Sequence, residues 1–163
     1  MTDRWLTSEQ QRAWRAYLLG TTLLMEHLDR DLRAKHDLSL PEYEILVRLS
    51  EASNRTLRMA ELAHSVKNSR SRITHTVKRL EDDVYVERRA CPSDGRGVMA
   101  SLTETGFELL AAAAHDHVDA ARYARIVVIG FDDFETIGTA FHAVAQRLEQ
   151  GAPFPALSAV CAS

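Results

Sequence analysis

Residues 57–106 hold a short helix pattern, a tight turn, a second helix pattern and two alternating strand patterns, and this order constrains the fold more than any other feature. The second helix repeats Ile73, Val77 and Leu80 at spacings of four and three residues, which predicts one buried stripe. Two helices joined by a short turn pack across each other around such stripes. The segment is therefore expected to form one small core.

The strand patterns follow the second helix directly. Residues 85–89 and 98–102 alternate apolar and polar side chains, and glycines and a proline punctuate the loop between them. A hairpin after a helix pair is typical of a winged helix-turn-helix. We therefore predict a mainly α (α+β) chain with a winged helix-turn-helix lobe over residues 39–103, in which Ser39 begins a capping box and Thr103 caps the helix that follows.

Helical patterns flank this lobe at residues 7–36 and 104–150. The first repeats apolar residues at three- and four-residue spacing along its length, and so long a stripe outruns the core of one small domain. The second ends in a narrow seam of large apolar residues between positions 134 and 148. We predict that these helices form a dimerisation region within a single unit of residues 1–163, which ends in a tail at 151–163.

Three local patterns predict how individual elements begin and end. Residues 57–66 are expected to be helical throughout, because their apolar side chains face one side. Asp132, with an acidic residue three positions on, is expected to cap the last helix. Residues 125–130 combine β-branched side chains with a glycine and predict a kink or an irregular link.

Charge is distributed unevenly along the chain. The net charge of −3 would ordinarily argue against a nucleic-acid partner, yet residues 67–103 carry eight basic and five acidic residues. Because the apolar residues of this stretch fill a small core, its cations must point outward and need an anionic partner. Double-stranded DNA is the expected partner.

The first turn of the basic helix has side chains suited to DNA. A helix fits the major groove, where arginines bind guanine edges and short hydroxyls bind phosphates or bases. Arg96, at the tip of the hairpin, is placed to enter the minor groove, and Asp94 is expected to fix its rotamer through a charge-assisted hydrogen bond. The predicted DNA-binding residues are Asn68, Ser69, Arg70, Ser71, Arg72, Thr74, His75, Lys78, Arg79, Arg89, Asp94 and Arg96.

Metal and catalytic chemistry find little support in the sequence. No two of the seven histidines stand four residues apart, the spacing that places two ligands on one face of a helix, so no metal site is predicted. The sequence has no phosphate-cradling glycine loop, serine elbow or His-Glu-x-x-His motif. We therefore expect no catalytic residues and no cofactor, and do not predict an enzyme.

The two cysteines, Cys91 and Cys161, do not make a disulfide framework, and a reducing cytoplasm is the expected compartment. Cys91 borders the basic hairpin, so redox sensing stays open beside an inert thiol. The first residues lack an apolar run of the signal-peptide type, and no segment has the length and hydropathy of a membrane span. The expectation is a cytoplasmic protein without a membrane partner.

Five segments carry a resemblance to a known family. They are residues 38–46, 59–63, 69–74, 94–97 and 102–106. The last two match an Asp-x-Arg wing followed by Leu-Thr-x-x-Gly, the most specific part of the pattern. On these residues the chain resembles the multiple-antibiotic-resistance regulator (MarR) family of dimeric bacterial winged-helix transcription factors.

The resemblance implies a homodimer, a pseudo-palindromic operator and release of DNA by a small, often phenolic or otherwise aromatic effector, so we predict a ligand-responsive repressor. An effector pocket is expected between the dimerisation helices and the DNA-binding lobe. Its candidate residues are Trp14, Tyr17, His27 and Tyr43. Many relatives have a glycine where the recognition helix turns into the wing, whereas this chain has none, so Asp83 is expected to adopt a left-handed cap conformation.

A second interpretation stays open. The acidic balance of the chain, with Asp82 and Asp83 on the basic helix, also fits a winged-helix dimer that has lost sequence recognition and acts as a protein-interaction adaptor or antagonist. The two interpretations differ in whether affinity for DNA depends on sequence as well as on salt. Phosphate contacts alone produce only the salt dependence.

Overall fold

The structure is a computed structural model that describes residues 5–91, 97–123 and 128–151. The elements, in chain order, are α1 (Ser8–His36), α2 (Leu40–Glu51), a 3₁₀ turn (Ser53–Arg55), β1 (Thr56–Arg58), α3 (Met59–Ser65), α4 (Arg70–Asp82), β2 (Val86–Ala90), β3 (Val98–Leu102), α5 (Glu104–Arg122) and α6 (Phe131–Glu149). The predicted mainly α winged helix-turn-helix is confirmed. In the ranges described, no helix has both the length and the apolar character needed to cross a membrane.

The chain divides into two compact units. The larger unit is Thr21–Asp119, and the smaller unit combines Met1–Gly20 with Ala120–Ser163. Helices α1 and α5 each contribute residues to both units. The predicted winged-helix lobe, residues 39–103, falls wholly within the larger unit.

The larger unit has an apolar core of its own. Leu46 from α2, Leu62 from α3 and Val77 from α4 are completely buried, and α4 adds Ile73 and Leu80 at 2% and 1% exposure. Full burial of a side chain of this size stabilises the fold by roughly 1.5–3 kcal/mol. The predicted buried stripe of α4 is confirmed.

A three-stranded antiparallel sheet closes one side of this core, with strand order β1-β3-β2. The prediction of a continuous helix over residues 57–66 is wrong at its start, because Leu57 and Arg58 belong to β1. Leu57 lies opposite Ala100 in the central strand. The hydroxyls of Thr56 and Ser101 hydrogen-bond at 2.8 Å across the same strand pair. Pairing with β3 therefore outweighs the local helical pattern of the first residues.

The helix starts follow the capping signals in two cases and depart from them in a third. Ser39 and Glu42 form the predicted capping box of α2, and the Gly106 N–H donates to Thr103 Oγ1 at 3.0 Å at the start of α5. At α6 the prediction is wrong, because the cap residue is Gly130 and no side chain caps the helix. Gly130 has φ of 89°, so a left-handed residue without a side chain sets this helix start. Residues 125–127 of the predicted irregular link lie outside the described residues.

The turn after α4 also differs from the prediction. Asp83 has φ of −88°, and the left-handed residue is Val84, with φ of 60°. The Val84 N–H donates to the Glu81 carbonyl at 3.0 Å and the Tyr85 N–H donates to the Leu80 carbonyl at 2.8 Å. These two bonds form a Schellman motif, which requires the residue after the C-cap to be left-handed. The position that favours glycine is therefore occupied by an exposed, β-branched valine.

Candidate nucleic-acid interface

The first turn of α4 is capped and exposed. Ser69 is extended, and its Oγ accepts a hydrogen bond from the Arg72 N–H at 3.3 Å. A hydroxyl cap is favoured here because a helix start leaves four N–H groups without partners inside the helix. Arg70, Ser71 and Arg72 are all exposed. Their side chains and the uncapped N–H groups of the first turn are therefore available to an anion.

The turn between α3 and α4 sets where this helix begins. Lys67 is left-handed, with φ of 52°, and the Asn68 N–H donates to the Ala63 carbonyl at 3.0 Å. Asn68 is half-buried, and its Oδ1 lies 3.5 Å from Arg72 Nη1. Asn68 thus helps to form the turn, and its side chain lies beside the start of α4.

One face of α4 points away from the core. Successive helical residues are about 100° apart, which places Ser71, His75, Lys78 and Asp82 within about 60° of one another. All four are exposed, and they lie roughly opposite the buried stripe. We call these four residues the outer face of α4. This is the surface of α4 that a DNA groove can approach.

The threonines of α4 are exposed or half-buried, but their hydroxyls turn back to the helix. Thr74 Oγ1 donates to the Arg70 carbonyl at 2.8 Å, and Thr76 Oγ1 donates to the Arg72 carbonyl at 3.0 Å. Bonds to the carbonyl four residues earlier are a common alternative for threonine in a helix. A DNA contact by Thr74 would use the lone pairs or the methyl group, because the hydroxyl proton already has an acceptor.

Several predicted DNA-binding cations have carboxylate partners inside the chain. Lys78 Nζ lies 2.8 Å from Asp82, and Arg89 Nη2 lies 2.8 Å from Glu87. Both pairs are well exposed, and exposed pairs contribute only about 0–1 kcal/mol. A phosphate can replace the carboxylate in either pair at small cost.

Arg70 and Arg79 differ in whether the guanidinium has a partner within the chain. Within the described ranges, the Arg70 side chain has no ion pair or side-chain hydrogen bond, so its guanidinium is ready for an external anion. Arg79 Nε lies 3.3 Å from the carboxylate of Glu42, which is 3% exposed, and Nη2 donates to the Asp37 carbonyl at 3.3 Å. The structure therefore directs Arg79 toward α2 and the turn before it.

The base of the wing is joined to α4 by an ion pair. Arg88 Nε donates to Glu81 Oε2 at 2.9 Å, and the Arg88 N–H donates to Glu81 Oε1. The hydrogen bond from Arg88 lowers the pKa of Glu81, and the same bond raises the pKa of Arg88. The pair fixes the strand that leads to the wing against the side of α4.

A cavity of 340 Å³ lies beside this ion pair. Its lining residues are Arg58, Met59, Ala60, Arg70, Thr74, Arg88, Gly97 and Val98. Three arginines from β1, α4 and β2 therefore meet at one concave surface. The position of Arg58 at this surface was not predictable, because β1 is only three residues long and gives too short an alternation to detect.

The outer part of the wing is not covered by the structure. Asp94 and Arg96 lie outside the described residues, so their predicted roles stay predictions. The arms of the hairpin are joined where the Cys91 N–H donates to the Gly97 carbonyl at 2.7 Å. The root of the wing is further fixed by Gly106, since a Cβ there would lie 2.2 Å from the Tyr85 carbonyl oxygen. That approach gives a physical reason for glycine in the Leu-Thr-x-x-Gly motif.

The predicted effector residues fall into separate groups. Trp14 and Tyr17 lie in the smaller unit, where the Tyr17 ring stacks on Phe141 at 5.0 Å between centroids. Tyr43 lies in the larger unit and is 8% exposed, whereas His27, in the same unit, is exposed.

Tyr43 packs against a histidine that sequence analysis did not select. The rings of Tyr43 and His117 are 4.6 Å apart, and His117 Nδ1 is buried without a hydrogen-bond partner in the described residues. Burial raises the pKa of Tyr43 and lowers the pKa of His117. The negative charge of Asp31 partly offsets the lowering at His117. One histidine on an alanine-rich helix gives no signal in the sequence that it packs against α2.

Asp116, the residue before His117 on α5, contacts the end of α1. His36 Nε2 and Asp116 Oδ2 lie 2.8 Å apart, and Lys35 Nζ lies 3.5 Å from the same carboxylate. The hydrogen bond from His36 is the main cause that lowers the pKa of Asp116.

In the part of the chain that the structure describes, no three His, Cys, Asp or Glu side chains converge as metal ligands. Cys91 is buried and Cys161 lies outside that part.

Comparison with known proteins identifies relatives. A sequence model of the MarR family matches residues 38–98. A comparison with curated protein sequences found no significant match.

Solved structures give a more extensive likeness. Sco3205 of Streptomyces coelicolor, described as a MarR family transcriptional regulator in complex with DNA, is 42% identical with a TM-score of 0.87, over 95% of this chain and 98% of that one. AbsC of the same organism, also described as a MarR family transcriptional regulator, is 37% identical with a TM-score of 0.84, over 91% and 99%. A cysteine-to-serine mutant of MarR from E. coli in complex with operator DNA shares the fold at 21% identity and a TM-score of 0.72, over 85% and 97%.

Proposed function

The chain belongs to the MarR family of transcriptional regulators, and we propose that it is a sequence-specific DNA-binding repressor that acts as a homodimer and releases its operator when a small aromatic effector binds. The observation that carries this proposal is the exposed, Ser69-capped first turn of α4, held with the root of the wing on one buried core. The DNA complex of Sco3205 supports it, because that protein matches nearly the whole length of this chain.

In the proposed complex, α4 enters the major groove. Arg70 and Arg72 read guanine edges, Ser71, His75 and Lys78 approach the groove from the outer face, and phosphates displace Asp82 from Lys78. Each good bidentate arginine contact is worth about 1–3 kcal/mol of discrimination between bases. Arg96 of the wing is proposed to enter the adjacent minor groove.

The homodimer is proposed from the smaller unit. Every residue of α6 is exposed, although the helix carries a seam of large apolar side chains. Phe134 is 39% exposed, Phe141 42% and Leu148 58%. Apolar surface of this kind marks an interaction site, and a second copy of the same helix has a matching seam. A twofold dimer would read two half-sites about one helical turn of DNA apart.

The effector is proposed to bind near Tyr43 and His117. These side chains combine the buried ring of Tyr43 and the half-buried ring of His117 with a nitrogen, His117 Nδ1, that has no partner in the described residues. A phenol or an aromatic acid would supply a ring to stack on them and a polar group for that nitrogen. The direction of the response, release of DNA, follows the repressor assignment.

The test is selection from a random duplex library with the purified chain, repeated with the Arg70→Ala/Arg72→Ala variant. The proposal expects enrichment of an inverted repeat that the variant loses. The variant must remain folded, which circular dichroism will verify. Failure of a folded wild-type dimer to enrich any sequence would overturn the proposal and favour the adaptor interpretation.

The adaptor interpretation has one supporting observation. Lys78, Arg88 and Arg89 all have carboxylate partners within the chain, which reduces the net charge offered to DNA. Uniform binding to all duplexes with a strong dependence on salt would be its signature.

A further inference from the structure

The side of α4 that faces α2 contains a buried carboxylate. Glu42 is 3% exposed, and its Oε2 accepts hydrogen bonds from the Ser39 N–H at 2.7 Å and the Ser39 Oγ at 2.6 Å. A carboxylate taken out of water is strongly unfavourable unless a cation faces it. Arg33 contributes at longer range, since Glu42 is among the smaller causes that raise the pKa of Arg33. The cation in contact with Glu42 is Arg79.

The guanidinium of Arg79 is directed at the protein by four separate groups. Besides Glu42 and the Asp37 carbonyl, it lies 3.6 Å from the Asp37 carboxylate and 3.9 Å from the Asp83 carboxylate. Its side chain is 45% exposed, and these acceptors come from α2, the turn before α2 and the end of α4. A phosphate would have to compete chiefly with the buried carboxylate of Glu42, because the pairs with Asp37 and Asp83 are exposed and weak.

A second ion pair holds the opposite flank of α4. Glu81 lies about 160° from Arg79 around the helix axis and binds Arg88 of β2. One flank of α4 is therefore held against α2, and the other against the root of the wing. The two contacts lie on either side of the buried stripe of α4, and both oppose rotation of the helix about its own axis.

This rotation controls where the outer face points. Side-chain tips lie about 6 Å from the axis of a helix, so a rotation of about 10° moves them by about 1 Å. Hydrogen bonds to base edges span only about 2.7–3.2 Å between heavy atoms, and a shift of that size breaks them. Phosphate attraction falls off more gradually with distance and tolerates the same shift.

We propose that Arg79 is a positioning residue, which sets the rotation of α4 for base reading by neutralising Glu42, and that it does not contact DNA. This inference rests on the proposed function and replaces the sequence-based prediction of a direct contact at Arg79. It also gives Glu42, a residue that DNA cannot reach, a part in sequence recognition.

The experiment compares full-length Arg79→Gln, Glu42→Gln and the double variant with Lys78→Gln, a matched control on the outer face. Binding is measured by fluorescence anisotropy to the selected operator and to a scrambled duplex of equal length, over a range of salt concentrations. Circular dichroism and thermal melting establish that each variant is folded.

Arg79→Gln is expected to lower operator affinity about tenfold, the loss of one good base contact, while the slope of log affinity against log salt stays unchanged. Glu42→Gln is expected to reduce the ratio of operator to scrambled affinity to the same extent, and the double variant is expected to reduce it no further. Lys78→Gln is expected to weaken both duplexes alike and to reduce the salt slope by about 0.9.

Two results would overturn the inference while leaving the proposed function intact. One is a salt slope that falls with Arg79→Gln while Glu42→Gln binds like wild type, because Arg79 would then contact a phosphate. The other is a lower melting temperature with an unchanged affinity ratio for the folded variants, because the contact would then be structural only. A wild-type affinity ratio near one would overturn the proposed function, and the inference with it.

Discussion

The two units of the chain bury their apolar residues to very different extents. In the larger unit, Ile45, Leu46 and Leu49 are completely inaccessible to solvent. In the smaller unit, every residue of α6 is exposed, with Phe131 at 52% and Leu148 at 58%. The larger unit therefore has a source of stability within one chain. The smaller unit leaves its apolar surface exposed, so if the proposed homodimer forms there its stability is expected to depend on protein concentration.

The largest effect that tests this difference is expected from Leu46→Ala. Removing a completely buried leucine loses its transfer free energy and leaves a cavity, so the free energy of unfolding is expected to fall by about 3 kcal/mol. Urea denaturation at two protein concentrations measures the change, which is expected to be equal at both. Leu23→Ala, in the same unit at a position 54% exposed, is the control. Equal losses in the two variants would mean that the larger unit has no dominant core.

The smaller unit is tested by Ile137→Glu. A carboxylate in the middle of the α6 seam must be desolvated when two copies associate, so the dimer dissociation constant is expected to rise about 100-fold, or roughly 2.7 kcal/mol. Sedimentation equilibrium measures the constant. Thr136→Glu, next to the seam on the same exposed helix, is expected to change it little. An unchanged constant for Ile137→Glu would place the interface elsewhere.

A smaller effect, with the opposite sign, is expected from Val84→Gly. Val84 is left-handed, where a side chain costs about 1–2 kcal/mol, so glycine is expected to raise the free energy of unfolding by about 1 kcal/mol. The same substitution near the end of α5, Val118→Gly, is expected to lower it by roughly 0.5 kcal/mol. Thermal melting of both variants measures the two changes in stability. Destabilisation by both would show that the Val84 side chain contributes more than its backbone strain costs.

The smallest effect concerns the pH dependence of the larger unit. Burial lowers the pKa of His117 in the fold, so between that lowered pKa and about pH 6.5 the unfolded chain binds a proton that the folded chain does not. Stability is therefore expected to fall as pH decreases through that value, by less than about 1.4 kcal/mol per pH unit for one proton. Urea denaturation between pH 7 and 5 is expected to show a flatter dependence for His117→Phe. Identical slopes for the two proteins would exclude His117 as the source.

The larger unit was the more predictable of the two, because its elements carry local signals. The buried stripe of α4 repeats at helical spacing, and the cap at Ser39 is written in four consecutive residues. Strand β1 was not predictable, since three residues carry no period and pairing with β3 is a distant contact. Val84 was missed because the hydrogen-bond geometry, rather than side-chain preference, selected the left-handed residue.

The basic character of the candidate interface was predictable from the sequence, but the partners of its side chains within the chain were not. The basic character of α4 is visible in the sequence, whereas Arg79 meets Glu42 from 37 positions away and Arg88 meets Glu81 across a turn. Which cation stays exposed and which faces the protein is decided by such tertiary contacts. His117 belongs to the same class, since its contact with Tyr43 joins two helices far apart in sequence.

The shared carboxylate of Glu42 has a consequence for local unfolding. Glu42 closes the first turn of α2 through Ser39 and also faces Arg79 on α4, so an opening of either helix exposes the same charge. The start of α2 and the second half of α4 are therefore expected to open together, and their amide hydrogens to exchange with solvent at matched rates. Anything that loosens the entry to α2 would at the same moment release the helix proposed to read DNA.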